Sequence, residues 1–407
     1  MTYISVLWRA LFLLAGAGVA FSFFGGGGTV AYEKPSQKKD ALIPSDDVRH
    51  LPTPDPLKAI YMTQCVVGTK AFREKLVKLI DETEINALVI DVKDYSGRMA
   101  FKAEDPFLRE SLSDSCRADD MKDFLKYLHE KNIYTIARIT VFQDPYLAKK
   151  KPQWGVTKKS ATSTLWADRK GINFLDPGNR GVWEYVAKMG KESYAIGFDE
   201  INFDYIRFPS DGNMSDIYFP ASNGRQKREV IKEFWRYLSR EFREGEKKIP
   251  ISADLFGMTT TAEDDLNIGQ LFEYALPYFD YVVPMVYPSH YPPNFNGWKN
   301  PNAHVYDVVY FTMNAAVRRA EATTTKIALS GSSAIASTTP PLYSKPSFTS
   351  KKLRTWIQDF DYGGNYGSKE VRDQIQASSD AGVTSYMIWA PSNIYTREAL
   401  LPISTSH

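Results

Sequence analysis

The sequence predicts a (β/α)8 barrel with loop insertions, and three observations predict it. From Leu57 onward, strand-like segments alternate with amphipathic helical ones; the alternation counts to eight; and about 340 residues is the size that such a barrel needs when its loops carry insertions. A doubly wound open sheet shares the alternation, because periodicity does not say whether a sheet closes.

The elements run in order. AIYMTQCVV (59–67) precedes the amphipathic AFREKLVKLIDETE, ALVIDVKD (87–94) precedes DDMKDFLKYLHEKN, and YTIARITVF (134–142) precedes a long loop and NRGVWEYVAKMGKESYAI. The fourth strand lies in GFDEINFDYIRFPSDG (197–212), where Ile201, Phe203 and Tyr205 alternate with Glu200, Asn202 and Asp204. Then come RQKREVIKEFWRYLSREF, strand PISADLFG (250–257), IGQLFEYALPYF, strand YVVPMVY (281–287), VYDVVYFTMNAAVRRAE, and finally KEVRDQIQASSDAG before strand TSYMIWAPS (384–392). For the seventh strand both KIALSG (326–331) and LRTWIQDF (353–360) qualify.

The first 56 residues are different in kind. No charge occurs between Arg9 and Glu33, and Ala10 to Phe24 is almost unbrokenly apolar, so residues 1–32 read as a signal peptide or membrane anchor. Either exports the rest of the chain to the cell surface, the periplasm or the outer face of a membrane. Residues 33–56, with five prolines and few apolar side chains, read as a flexible linker, and 57–407 as the barrel. Two cysteines, Cys65 and Cys116, are too few for a disulfide scaffold; one bridge is conceivable, and two free buried thiols are the favoured expectation.

Composition excludes other classes. With 43% hydrophobic residues the chain buries a large core, and Lys+Arg 50 against Asp+Glu 48 leaves no field of one sign for nucleic acid. No G-x-S-x-G elbow occurs, and five scattered histidines with two distant cysteines offer no zinc site, so neither a serine hydrolase nor a metal or cofactor is expected.

In a barrel, inward side chains alternate with helix-facing ones and the active site lies at the C-terminal ends of the strands. Parity therefore sorts the acids. Ile201, Phe203 and Tyr205 form the helix-facing set, leaving Glu200, Asn202 and Asp204 inward; Ile251, Ala253 and Leu255 face out, leaving Ser252 and Asp254 inward. Asp204 and Asp254 then meet at the mouth, where glycoside hydrolysis needs two carboxyl groups, one to protonate the leaving oxygen and one to attack or to activate water. Asp91, Lys93, Arg138, Glu200, Asn202, Arg207, Tyr287 and His290 are the expected hydroxyl or charge partners, and Trp356 and Trp389 the expected flat faces for sugar rings. Trp154, Trp166 and Trp298 could serve the same purpose or simply anchor loops.

ALVIDVKDYSGRM, IYTIARITVFQDP, NFLDPGNRGVWEY, FDEINFDYIRFPSDG, ADLFGMTT, MVYPSHY, LRTWIQDFDYGGNYG and MIWAPSNIY, in that order from Leu57 to the C-terminus, resemble the glycoside-hydrolase-like family known as domain of unknown function 4015. The resemblance implies a barrel related to the α-amylase-like hydrolases, a retaining mechanism, an oligo- or polysaccharide substrate, a nucleophile at Asp204 and an acid after the fifth strand. Those relatives usually carry Glu at the acid position, where this chain has Asp254. It also favours LRTWIQDF as the seventh strand, with KIALSG and Ser332 to Ser350 as an insertion over the mouth. A barrel that binds glycan without cleaving it, and a transglycosidase, would use the same cleft.

Overall fold

Each helix owes its place to an apolar stripe at helical spacing. In α1 (Lys70–Asp81), Arg73, Leu76, Val77 and Ile80 are buried, which is one face. α4 (Lys227–Arg243) buries Val230, Ile231, Phe234, Trp235, Leu238 and Phe242. α3 (Arg180–Ile196) starts where the Asn179 side chain accepts from the backbone N–H groups of Gly181 and Val182, and it stops at Gly197, whose φ of +125° a side chain would resist. Four more are α2 (Met121–Glu130), α5 (Phe272–Ala275), α6 (Val305–Glu321) and α7 (Ser368–Asp380), and short helical turns at Gln64–Val67, Pro106–Arg109 and Pro145–Lys150 lie in the connections.

The computed structural model describes residues 29–30, 48–244, 248–328 and 342–403. Eight parallel strands close into a barrel in chain order: β1 (Lys58–Met62), β2 (Ala87–Lys93), β3 (Tyr134–Thr140), β4 (Glu200–Asp204), β5 (Ile251–Phe256), β6 (Tyr281–Met285), β7 (Thr355–Gln358) and β8 (Tyr386–Trp389). The open-sheet alternative is thereby removed, and LRTWIQDF is the seventh strand. Part of KIALSG instead borders a small side sheet, in which Thr324–Lys326 pairs with Leu342–Ser344. Tyr343 of that sheet packs on Tyr274 of α5, and Lys345 donates to the carbonyls of Ala320 and Ala322 at the end of α6. The described ends of the insertion pack there, beside α5 and α6, while residues 329–341, the middle of the segment expected over the mouth, lie outside the described residues.

Two apolar clusters follow from the alternation. The larger fills the space between strands and helices, and the smaller, with Ala59, Tyr61, Val89, Ile136, Val283, Trp356 and Met387, fills the barrel interior. One polar layer interrupts the interior low in the barrel: Arg354 gives two hydrogen bonds to Glu200, at 2.7 and 2.9 Å, and Tyr134 a third at 3.2 Å.

The signal or anchor reading of residues 1–32 falls, apart from the backbone of Thr29–Val30, outside the described residues. No helix of the described residues is long and apolar enough to cross a membrane. The described end of the linker is packed. The Leu51 N–H donates to Asp199 at 2.7 Å, the Thr53 hydroxyl meets that of Tyr134 at 2.9 Å, and His50 stacks on Tyr194 with ring centroids 3.8 Å apart. Residues 48–56 belong with the barrel for that reason.

Cys65 and Cys116 form a disulfide, with Cα atoms 4.1 Å apart, which corrects the expectation of free buried thiols. Cys65 is exposed and Cys116 half-buried, so the bridge ties two surface segments together. It spans a sequence separation of 51 residues, and closing such a loop restricts the unfolded chain by about 4 kcal/mol. Replacing both cysteines by serine is expected to lower unfolding free energy by about 2–4 kcal/mol in denaturant titrations, with the denaturant m-value raised.

Candidate active site

The C-terminal ends of the strands surround a cleft of ≈ 220 Å³ lined by Arg138 from β3, Asp204 at the end of β4, Asp254 from β5, Met285 from β6, Trp356 from β7 and Trp389 from β8, with Tyr205, Arg207, Gln270, Tyr287 and His290 from the loops. It is the place where inward parity on separate strands converges.

Arg138 organises the floor. Its guanidinium pairs with Asp91 on the neighbouring strand and with Asp204, and its Nε lies 3.8 Å from Asp254 Oδ2. Three buried acids around one cation leave an excess of negative charge, which the site relieves through Asp254. Burial, and then the charge of Asp204, push the Asp254 carboxyl well above the usual carboxylate range. Burial likewise raises Asp91 to about 6, against the opposing pull of Arg138 and a hydrogen bond from Tyr61.

Hydrogen bonds then say where the Asp254 proton sits. Asn202 Nδ2 at 2.9 Å and Trp356 Nε1 at 2.8 Å both donate to Oδ1, which fixes Oδ1 as an acceptor. Oδ2 accepts no hydrogen bond. The proton belongs on Oδ2, the oxygen nearest Arg138. Asp204 accepts on its two oxygens from Arg138 and from the Tyr205 backbone N–H.

The remaining expected residues divide into three groups. Tyr287, His290, Arg207, Trp356 and Trp389 line the cleft, although Arg207 donates to the Phe208 carbonyl and the Ser210 hydroxyl at 3.1 and 3.3 Å and makes no ion pair with Asp204. Asp91 and Asn202 lie just behind it and reach it through Arg138 and Asp254. Lys93 and Glu200 do not reach it. A register irregularity between Asp91 and Lys93 breaks the alternation at the end of β2, and the fully buried Lys93 pairs with Asp144 at 3.0 Å. Glu200 has the right parity but sits four residues before Asp204, at the depth of Arg354. Trp154 packs edge-on against Phe107, Trp166 binds the Asn213 carbonyl at 2.9 Å, and Trp298 stacks on His304; these three anchor loops.

Tyr205 corrects the alternation in the other direction. Expected to face the helices, it lines the cleft because its φ of +52° ends the strand and turns the chain back over the mouth. Gln270 was not signalled by any strand pattern: it enters from a loop, where its side chain accepts from the Phe256 N–H at 3.0 Å. Among the described residues no cluster of three or more His, Cys, Asp or Glu is placed to hold a metal ion.

A family model described as "Putative glycosyl hydrolase domain" matches residues 59–395. The chain belongs to that family. The match starts within β1 and ends beyond β8, so it takes in the whole barrel and both carboxylates. No curated protein matches the chain. Among solved structures, a hypothetical protein from Ruminiclostridium thermocellum is 34% identical over 48% of this chain and 96% of its own, with a TM-score of 0.43. The PgaB (BpsB) glycoside hydrolase domain from Bordetella bronchiseptica superposes with a TM-score of 0.55 at 12% identity, covering 85% of this chain and 99% of its own. The α-L-fucosidase isoenzyme 2 from Paenibacillus thiaminolyticus gives 0.52 at 11% identity, over 84% and 48%. At these identities the last two speak for the shared barrel fold.

In Asp204→Asn the second cause of the Asp254 shift disappears, so the Asp254 carboxyl is expected to titrate at lower pH than in the parent, read by carboxyl-carbon NMR of aspartate-labelled protein. An unchanged midpoint would mean that burial alone sets it.

Proposed function

We propose that the protein is an exported glycoside hydrolase that cleaves an oligo- or polysaccharide by double displacement, with Asp204 as nucleophile and Asp254 as acid/base. The observation that carries this reading is the unequal pair of carboxyl groups held at one mouth by one guanidinium. Both groups contact the one guanidinium of Arg138 and so belong to one site; double displacement requires them to stand roughly 5–5.5 Å apart.

In the first step an Asp204 oxygen attacks the anomeric carbon while Asp254 Oδ2 delivers its proton to the departing glycosidic oxygen; the C–O bond to the leaving group breaks as the glycosyl ester forms. In the second, the deprotonated Asp254 takes a proton from water, the water oxygen attacks the anomeric carbon, and the ester bond breaks. Protons and electron pairs balance, and Asp254 ends as it began. Arg138 stabilises the Asp204 carboxylate as it departs. The aspartate at the acid position is shorter than glutamate, and Asn202 and Trp356 hold it by Oδ1 with Oδ2 left for the transfer. Export is supported by the disulfide between exposed segments and by the apolar run that follows Arg9.

The test is release of new reducing ends from α-glucans, β-glucans and bacterial surface polysaccharides by the parent, Asp204→Asn and Asp254→Asn. Activity on one of these is expected in the parent, with a loss of about 10³-fold or more in each variant. Because the acid must be protonated and its pKa is raised, kcat/KM should hold through neutral pH and fall on the alkaline side. Equal activity in parent and Asp204→Asn would remove the proposed nucleophile.

A further inference from the structure

Beyond the acid pair, a connected set of rings leads out of the cleft along one side. Tyr287, only 6% exposed, packs on Trp389 with centroids 5.1 Å apart; Trp389 contacts Phe360 at 4.9 Å and His290 at 6.3 Å; and His290 contacts Tyr362 at 5.9 Å. Tyr362 is 61% exposed. It shares that exposure with Ile394 at 70% and Tyr95 at 59%, the three most exposed large apolar side chains among the described residues. All three stand in loops that follow barrel strands, β7, β8 and β2, which puts them at the same end of the barrel as Asp204 and Asp254. Single exposed apolar residues scatter over any surface, but Tyr362 is joined through His290 to the rings of the cleft.

The polar edge of this track is fixed as firmly as its rings. The Gln358 amide donates through Nε2 to the Phe360 carbonyl at 2.9 Å, so its Oε1 is an acceptor. The Ser289 hydroxyl, 2.7 Å from that Oε1, must therefore donate to it, and its lone pairs face His290 Nδ1 at 2.9 Å. Nδ1 carries the imidazole proton in consequence, and Nε2 is left as an acceptor. Partial burial depresses the His290 pKa, which keeps the ring in this neutral form at pH 7. An apolar ring face beside a fixed acceptor suits a sugar, which offers C–H groups on its face and hydroxyls on its edge.

We propose that Trp389, His290 and Tyr362 form a linear binding track for a glycan chain, with His290 Nε2 accepting a sugar hydroxyl, so that the substrate is a polymer bound over several consecutive units and cut internally. This rests on the reading of the cleft as a carbohydrate site. The 220 Å³ cleft accounts for the units at the point of cleavage, and the exposed rings extend the contact outward from it. The track uses the end of β8 and the loops after β6 and β7, whereas the nucleophile and acid come from β4 and β5, so the chain would run across the mouth from one set to the other.

The test is calorimetric binding of two- to six-unit ladders of malto-, cello-, chito- and β-1,6-linked N-acetylglucosamine oligosaccharides to full-length Asp204→Asn, with and without Tyr362→Ala or His290→Ala. In at least one ladder, affinity is expected to rise about tenfold or more between two and four units, and that gain should collapse in Tyr362→Ala. The His290→Gln variant, which keeps an acceptor, should retain more of it than His290→Ala. Affinity independent of length, a gain that survives Tyr362→Ala, or no binding to any ladder at millimolar concentration would each overturn the proposal. Products separate this from the wider reading: length-dependent binding without cleavage by the parent would sink hydrolysis and keep the track, while cleavage without length dependence would do the reverse.

Discussion

The site depends on one guanidinium shared among three buried acids. Arg138 contacts Asp91, Asp204 and Asp254 at the mouth of the barrel, and a single positive charge does not neutralise three negative ones. In water the excess would be screened; inside the barrel it is not, so the structure answers by protonation. Asp254 takes the proton because it is the most enclosed and lies beside Asp204. Burial and charge thereby set Asp254 apart from Asp204, and the proposed division into acid and nucleophile rests on that asymmetry.

The barrel supplies the geometry for this with few special devices. Strand order brings β3, β4 and β5 side by side, with Arg138 opposite Asn202 and Asn202 opposite Ser252 in register. Successive inward positions on β4 then serve different layers. Glu200 closes a deep ion pair with Arg354, Asn202 braces Asp254, and Asp204 reaches the cleft. The answer to why one strand carries so many acids and amides is depth: each meets a different neighbour.

Much of this was legible in the sequence, and the failures have physical causes. Period-2 alternation on the fourth and fifth strands identified Asp204 and Asp254 because both strands are regular up to those residues. The same rule failed at Lys93, where the ladder slips, and at Tyr205, where a positive φ ends the alternation; neither leaves a trace in side-chain type. Parity also says nothing about depth, which is why Glu200 looked like a ligand. Gln270 lies on a loop, and the Cys65–Cys116 pairing joins distant segments, so both depended on tertiary proximity that no local pattern encodes.

The most direct measurement is neutron diffraction from deuterium-exchanged crystals at pH 7. The account predicts a deuterium on Asp254 Oδ2, none on Asp254 Oδ1 and none on Asp204. A bare Asp254 carboxylate, or a deuterium on Asp204 in its place, would contradict the division of roles on which the mechanism rests.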